Sequence, residues 1–146
     1  MLAGLLPLRL LADVKLPAIF TDNMVLQRES EVKFWGEAAS DRTVRITTSW
    51  DGARYEVSSD ASGHWTATVR TPEAGGPYTV TLTDGRHPVT LRNVLIGEVW
   101  ICSGQSNMEM RVGDRVTGME RELAEAEGYP EIRLLHIDNT TSPMPL

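Results

Sequence analysis

The chain has 146 residues, 41% of them apolar and 23% charged, with a net charge of −6 and a pI near 5.0. That length fits one ordinary domain or two small ones, and the composition can bury a core. The negative balance argues against nucleic acid and against an anionic membrane surface as partners. The one cysteine, Cys102, excludes an intrachain disulfide, so cysteine usage does not report the compartment. It lies in an apolar run and reads as a small buried hydrophobe.

The chain opens with MLAGLLPLRLLA, Met1 to Ala12. The stretch is too short for a membrane span, which needs about 20 residues. It reads as the core and cleavage end of a secretory signal cut after Ala12, so residues 1–12 predict export to the periplasm or the exterior.

From Asp13 to about Gly97 the pattern is strands and turns. Val32–Trp35, Val44–Trp50, Arg54–Ser58, His64–Val69, Tyr78–Thr83 and Val89–Val94 are short runs rich in Val, Thr, Ile, Tyr and Trp. Thr43–Trp50 alternates, with Val44, Ile46 and Thr48 on one face. Asp51-Gly52 and Asp84-Gly85 predict two-residue hairpin connections. Ser62-Gly63 and Gly75-Gly76-Pro77 punctuate the other runs. Short strands at this spacing predict an all-β antiparallel sandwich over residues 13–97. Trp35, Trp50 and Trp65 fall in separate strands and read as core packing. The alternative is a sugar-stacking platform that they form with Trp100.

The pattern changes near Gly97. Val94–Ser103 is an almost continuous apolar run, as expected of a strand covered on both faces in a parallel sheet. Thr117–Glu127 predicts a helix, with Thr117 and Glu120 as a capping box and Gly128 as the stop. Ile132–Ile137 predicts a second strand. Strand, helix and strand make a βαβ unit with a right-handed crossover, opening an α/β domain over residues 98–146. One such unit cannot cover both faces of its sheet, so the α/β domain is expected to be truncated and the chain a fragment.

The apolar run ends in ICSGQSNMEM, Ile101 to Met110. In open α/β sheets, ligands bind beyond the carboxyl ends of the strands, and Ser106 sits just past such an end. Backbone N–H groups freed in a turn there can hold an oxyanion. Gly104 lets the backbone turn tightly and leaves room for a substrate. Gln105 and Asn107 carry amides that can orient a substrate or brace the turn.

GQSNM, Gly104 to Met108, following EVWICS, resembles the nucleophile block of the SGNH-type sialate O-acetylesterase family, whose members are carbohydrate acetylesterases. LPAIFTDNMVLQR (Leu16 to Arg28), AGGPYTVTL (Ala74 to Leu82), NVLIGEVW (Asn93 to Trp100) and YPEIRLLHI (Tyr129 to Ile137) are similar to further blocks of that family, in the same order. The resemblance implies a flavodoxin-like α/β esterase domain after the sandwich. It implies Ser106 as nucleophile, with its backbone N–H in the oxyanion hole. It also implies a histidine base oriented by an aspartate three residues earlier, in a later D-x-x-H block expected beyond Leu146. The expected substrate is an O-acetylated sialic acid or another acetylated glycan. By resemblance the full-length protein is a serine hydrolase, and the 146 residues alone are expected to be inactive.

Asp84-Gly85-Arg86-His87 has the same D-x-x-H spacing, but it precedes the serine and carries a turn signal of its own. His64 and His136 lie in strand-like segments without a carboxylate at local spacing and read as structural. No metal motif and no glycine-rich phosphate loop occurs, so neither metal nor cofactor is expected. Asn139-Thr140-Thr141 fits a glycosylation sequon, a short and weakly specific match. Two other readings compete with the esterase. One is a non-catalytic sandwich that binds glycan, and the other is a sandwich that only supports a partner domain. Nothing in the sequence sets the oligomeric state.

Overall fold

The computed structural model describes residues 13–104, 106–108 and 117–137, and of Asn107 the backbone alone. The signal-like residues 1–12 and the sequon at Asn139 lie outside the described residues. The chain divides after Trp100 into two units.

The first unit holds seven strands: β1 (Val25–Gln27), β2 (Glu31–Glu37), β3 (Thr43–Thr48), β4 (Arg54–Ser58), β5 (His64–Arg70), β6 (Gly75–Thr83) and β7 (Val89–Gly97). Five form one sheet in the order β1-β7-β6-β3-β4, and β2 and β5 form a second sheet. The reason lies in period-two patterning, which sends alternate side chains to opposite faces. In β5, Trp65, Ala67 and Val69 are buried while His64, Thr66, Thr68 and Arg70 are exposed. In β3, Val44, Ile46 and Thr48 are buried, as the alternation predicts. Both sheets feed one core, in which Phe34, Val44, Ile46, Val69, Val80, Leu82 and Val94 are wholly buried. Each such side chain contributes about 1.5–3 kcal/mol of transfer free energy.

Several expectations change. β1 was not foreseen, and it pairs with β7 in parallel, so the β-sheet is not purely antiparallel. A three-residue strand carries too little pattern to be read alone. The two Asp-Gly pairs do not make two-residue hairpins. Each lies in a five-residue connection, 49–53 between β3 and β4 and 84–88 between β6 and β7. In the first, Asp51 Oδ1 accepts from Thr48 Oγ1 at 2.6 Å and from the Ala53 N–H at 2.9 Å. That local bonding favours the wider loop over the two-residue turn. Gly52 (φ 68°) and Gly85 (φ 94°) still supply the left-handed backbone.

The predicted strand Val94–Ser103 ends at Gly97, where the ladder partner Gln27 closes β1. Residues 98–104 form no regular structure and are exposed, Cys102 included, so Cys102 is not the buried hydrophobe expected.

The second unit contains a 3₁₀ turn at Ser106–Met108 and a helix, α1, at Met119–Ala126. The capping box is not formed. Gly118, in the left-handed conformation at φ 89°, precedes the helix, and no side chain caps it. The helix stop does match, with the Gly128 N–H donating to Glu125 O at 2.9 Å. Ile132–Ile137 is not a strand, and the expected βαβ unit is not formed among the described residues. A strand exists only through its ladder partners, and this segment joins no sheet among the described residues. Its apolar side chains stay exposed, Leu134 to 95%.

Candidate functional site

Within the first unit, β1 and β7 form the last ladder of the sheet. Asn23 (φ 66°) and Asn93 (φ 54°) both adopt the left-handed region that asparagine tolerates. Their side chains join, with Asn93 Nδ2 donating to Asn23 Oδ1 at 2.7 Å. The Asn23 N–H donates to Arg92 O, and the Leu95 N–H to Met24 O. These bonds set the register in which Gln27 meets Gly97.

At the end of that ladder, Glu98 is held from two sides. Gln27 Nε2 donates to its Oε2 at 3.0 Å, and Arg28 Nε to its Oε1 at 2.8 Å. The Val99 N–H donates to Gln27 Oε1 at 2.9 Å, and the Arg28 N–H to Gly97 O. The Gln27 amide, and next the Arg28 guanidinium, hold the Glu98 carboxyl below the ordinary glutamate range. Sequence reading did not single out Gln27, Arg28 and Glu98 as a group. Their separation of some 70 residues leaves no local signal.

Ser106 opens the 3₁₀ turn Ser106–Met108, and its side chain is exposed. Gly104 is also exposed, and Met108 crosses it closely: a Cβ there would lie 2.6 Å from Met108 Cγ. A side chain at 104 would displace Met108. Gln105 and the side chain of Asn107 lie outside the described residues. An exposed serine hydroxyl on a tight turn is open to substrate, but it is a weak nucleophile until a base takes its proton.

The histidines of the first unit face other partners. In the D-x-x-H stretch, Asp84 and His87 do not pair. His87 Nδ1 lies 3.2 Å from Asp13 Oδ1, while the buried Asp84 carboxylate stands 3.8 Å from Arg86 Nε and accepts the Arg86 N–H at 3.2 Å. His64 does have a local carboxylate, contrary to expectation: Asp60 Oδ1 accepts its backbone N–H and lies 3.9 Å from its Nδ1. The tryptophans separate by role. Trp65 is buried at 3% exposure, and Trp50 is half-buried with its ring edge-on to Tyr78. Trp35 and Trp100 are exposed, against the core reading of Trp35.

No family model matches the chain. Among curated proteins it is 35% identical to the sialate O-acetylesterase of Mus musculus over 130 residues, covering 82% of this chain and 24% of that protein. It is 31% identical to the sialate O-acetylesterase of Homo sapiens over 147 residues, covering 90% of this chain and 28% of that protein. Among solved structures, a carbohydrate acetylesterase from Xanthomonas citri matches with a TM-score of 0.70 and 31% identity, over 77% of this chain and 26% of that one. The chain thus spans about a quarter of the length of the relatives it matches. On these likenesses, the chain belongs to the sialate O-acetylesterase family and matches the N-terminal part of its members.

Proposed function

We propose that the full-length protein is a serine esterase that removes O-acetyl groups from glycans, with Ser106 as its nucleophile. One observation carries the reading: the exposed Ser106 hydroxyl opens a tight turn inside the GQSNM block. The named activities of the relatives support the ester class. Attack by Ser106 Oγ on the acetyl carbonyl would form a tetrahedral oxyanion, and the Ser106 N–H would donate to it. Collapse would release the sugar hydroxyl and leave acetyl-Ser106, which water then hydrolyses. The base and its orienting aspartate would come from a D-x-x-H segment of the full-length protein outside these residues. Gly104 lets the Met108 side chain close over the turn, and Gln105 and Asn107 would orient the acetyl group or brace the loop.

In this reading residues 13–97 are a β-sandwich that supports the catalytic domain. Residues 98–146 open an SGNH-type α/β domain, in which Ile132–Ile137 gains ladder partners from later strands. Residues 1–12 direct export, where acetylated polysaccharide is met. An active-serine fluorophosphonate probe on the full-length enzyme tests the assignment. It should label Ser106 alone, and Ser106→Ala should lower deacetylation by on the order of 10³-fold or more. An active Ser106→Ala enzyme overturns it.

A further inference from the structure

We propose that the outward face of the β2–β5 pair, at its Trp35 end, is a binding site for a neutral pyranose sugar. The site belongs wholly to the first unit and is independent of the role given to Ser106.

The register makes the face. Trp35 stands opposite Thr66, and Glu37 opposite His64. Phe34, Trp65 and Ala67, the alternate residues, turn into the core. Trp35, Glu37, His64 and Thr66 are left on the exposed side. An isolated antiparallel bridge, Lys15 to Glu37, brings residues 15–17 beside them. The Lys15 N–H donates to Glu37 O at 2.8 Å, and the Glu37 N–H to Lys15 O at 3.0 Å. Gly36 permits this approach, because a Cβ there would collide with the Lys15 carbonyl oxygen. The result is a groove of about 320 Å³ lined by Lys15, Leu16, Pro17, Trp35, Glu37 and His64.

Trp35 is 42% exposed in a unit that buries Trp65 and Phe34 almost completely. Its ring does not dangle. Phe20 packs edge-to-face on it, with centroids 4.7 Å apart, and Phe20 also stacks on the buried Phe34. The exposed indole is therefore braced by a ring that is itself stacked on the core, which lowers the entropic cost of using it as a platform. A single exposed aromatic on a flat surface is ordinary. This one lines a groove together with Lys15, Glu37 and His64, and an aromatic with a few polar groups in a concave site is the makeup of a ligand site.

The chemistry selects the ligand. A pyranose has an apolar C–H face and a rim of hydroxyls that both donate and accept. The indole offers a flat, electron-rich face to the C–H side. Lys15 can donate to a hydroxyl, Glu37 can accept from one, and His64 can do either. The unlike charges of Lys15 and Glu37 offset, so the groove has no surplus cation for an anionic sugar. An acidic sugar would also meet the Glu37 carboxylate. The occupant fitted here is uncharged.

Titration of the ¹⁵N-labelled full chain with cellohexaose, and separately with sialyllactose, tests the site. Cellohexaose should shift the Trp35 indole N–H and the Glu37 and His64 amides saturably. Trp35→Ala should weaken that binding by about tenfold, the loss expected for one stacked aromatic. If Trp35→Ala does not fold, Glu37→Gln replaces it and should weaken binding by about threefold or more. The proposal fails if cellohexaose gives no saturable shifts, or if its shifts map away from Trp35. It fails equally if sialyllactose binds this face more tightly, or if the folded variant binds as the parent does.

Discussion

Arg28 Nε donates to Glu98 Oε1 at 2.8 Å, joining residues 70 positions apart at the point where β7 ends. Gln27 holds the other carboxylate oxygen, so Glu98 is tied to the end of β1 from two sides. Glu98 titrates below its ordinary value because these two partners favour the carboxylate. The sign follows. The folded pKa is the lower one, so the stabilisation is present above the ordinary glutamate value, about 4.3, and is lost as pH falls through the depressed folded value. Glu98→Gln should therefore lower the melting midpoint at neutral pH, and its deficit should vanish toward strongly acidic pH. An equal deficit at both ends of the range would mean that Glu98 acts through packing alone.

Phe34 is wholly buried, and its ring stacks on Phe20 with centroids 4.9 Å apart. Phe34→Ala removes a ring from a core packed around it. The expected loss is about 3–5 kcal/mol in unfolding free energy, read by denaturant titration. A loss well below that range would mean that Phe20 swings in to fill the space.

Gly36→Ala tests a different force. The added methyl has no room beside the Lys15 carbonyl, so residues 13–17 must move away from β2. The cost should be about 1–3 kcal/mol, as for other overpacked sites. Hydrogen exchange at the Lys15 and Glu37 amides should speed up, since their mutual bonds are the ones that part. Unchanged protection at both amides would contradict the steric account.

Period-two runs explain why β2 through β7 were legible in the sequence. Val44, Ile46 and Thr48 alternate strictly, and one face of the sheet follows from that. What escaped reading depends on distant partners. β1 exists because Val25, Leu26 and Gln27 find Leu95, Ile96 and Gly97. Ile132–Ile137 has strand composition but no ladder among the described residues. Trp35 alternates with the charged Lys33 and Glu37, whereas Trp65 alternates with Ala67 and Val69. That parity sends Trp35 outward and Trp65 inward. Ser106 stands out in the sequence through the GQSNM motif alone, since its exposure is shared with most of its described neighbours. Nothing local reveals that His87 pairs with Asp13 rather than with Asp84, because the partner is 74 residues away.

That pairing yields a further expectation. His87 is tied to Asp13, and Asp84 to Arg86, so the D-x-x-H stretch is not an assembled dyad. In the proposed full-length esterase, His87→Ala should leave the deacetylation rate within about twofold of the parent, since surface changes remote from such features cost little. A loss on the order of 10³-fold would place the base in the first unit.

The two units should differ in whether they fold alone. The buried apolar side chains of the core cluster all lie between Val14 and Ile96. They come from both sheets, and the sheet edges are linked by local bonds such as the Tyr55 hydroxyl accepting from the Arg70 N–H at 3.3 Å. A shared core of this kind is what a cooperative transition needs. The second unit offers an eight-residue helix whose one buried side chain is Met119. A helix that short is marginal in water without packing, and the apolar side chains of Ile132, Leu134, Leu135 and Ile137 remain exposed. Residues 13–100 expressed alone should give a β-type circular dichroism spectrum and one sigmoidal melt. Residues 101–146 alone should melt without a transition. A cooperative melt in the second piece, or none in the first, would reverse the assignment of where the folding free energy resides.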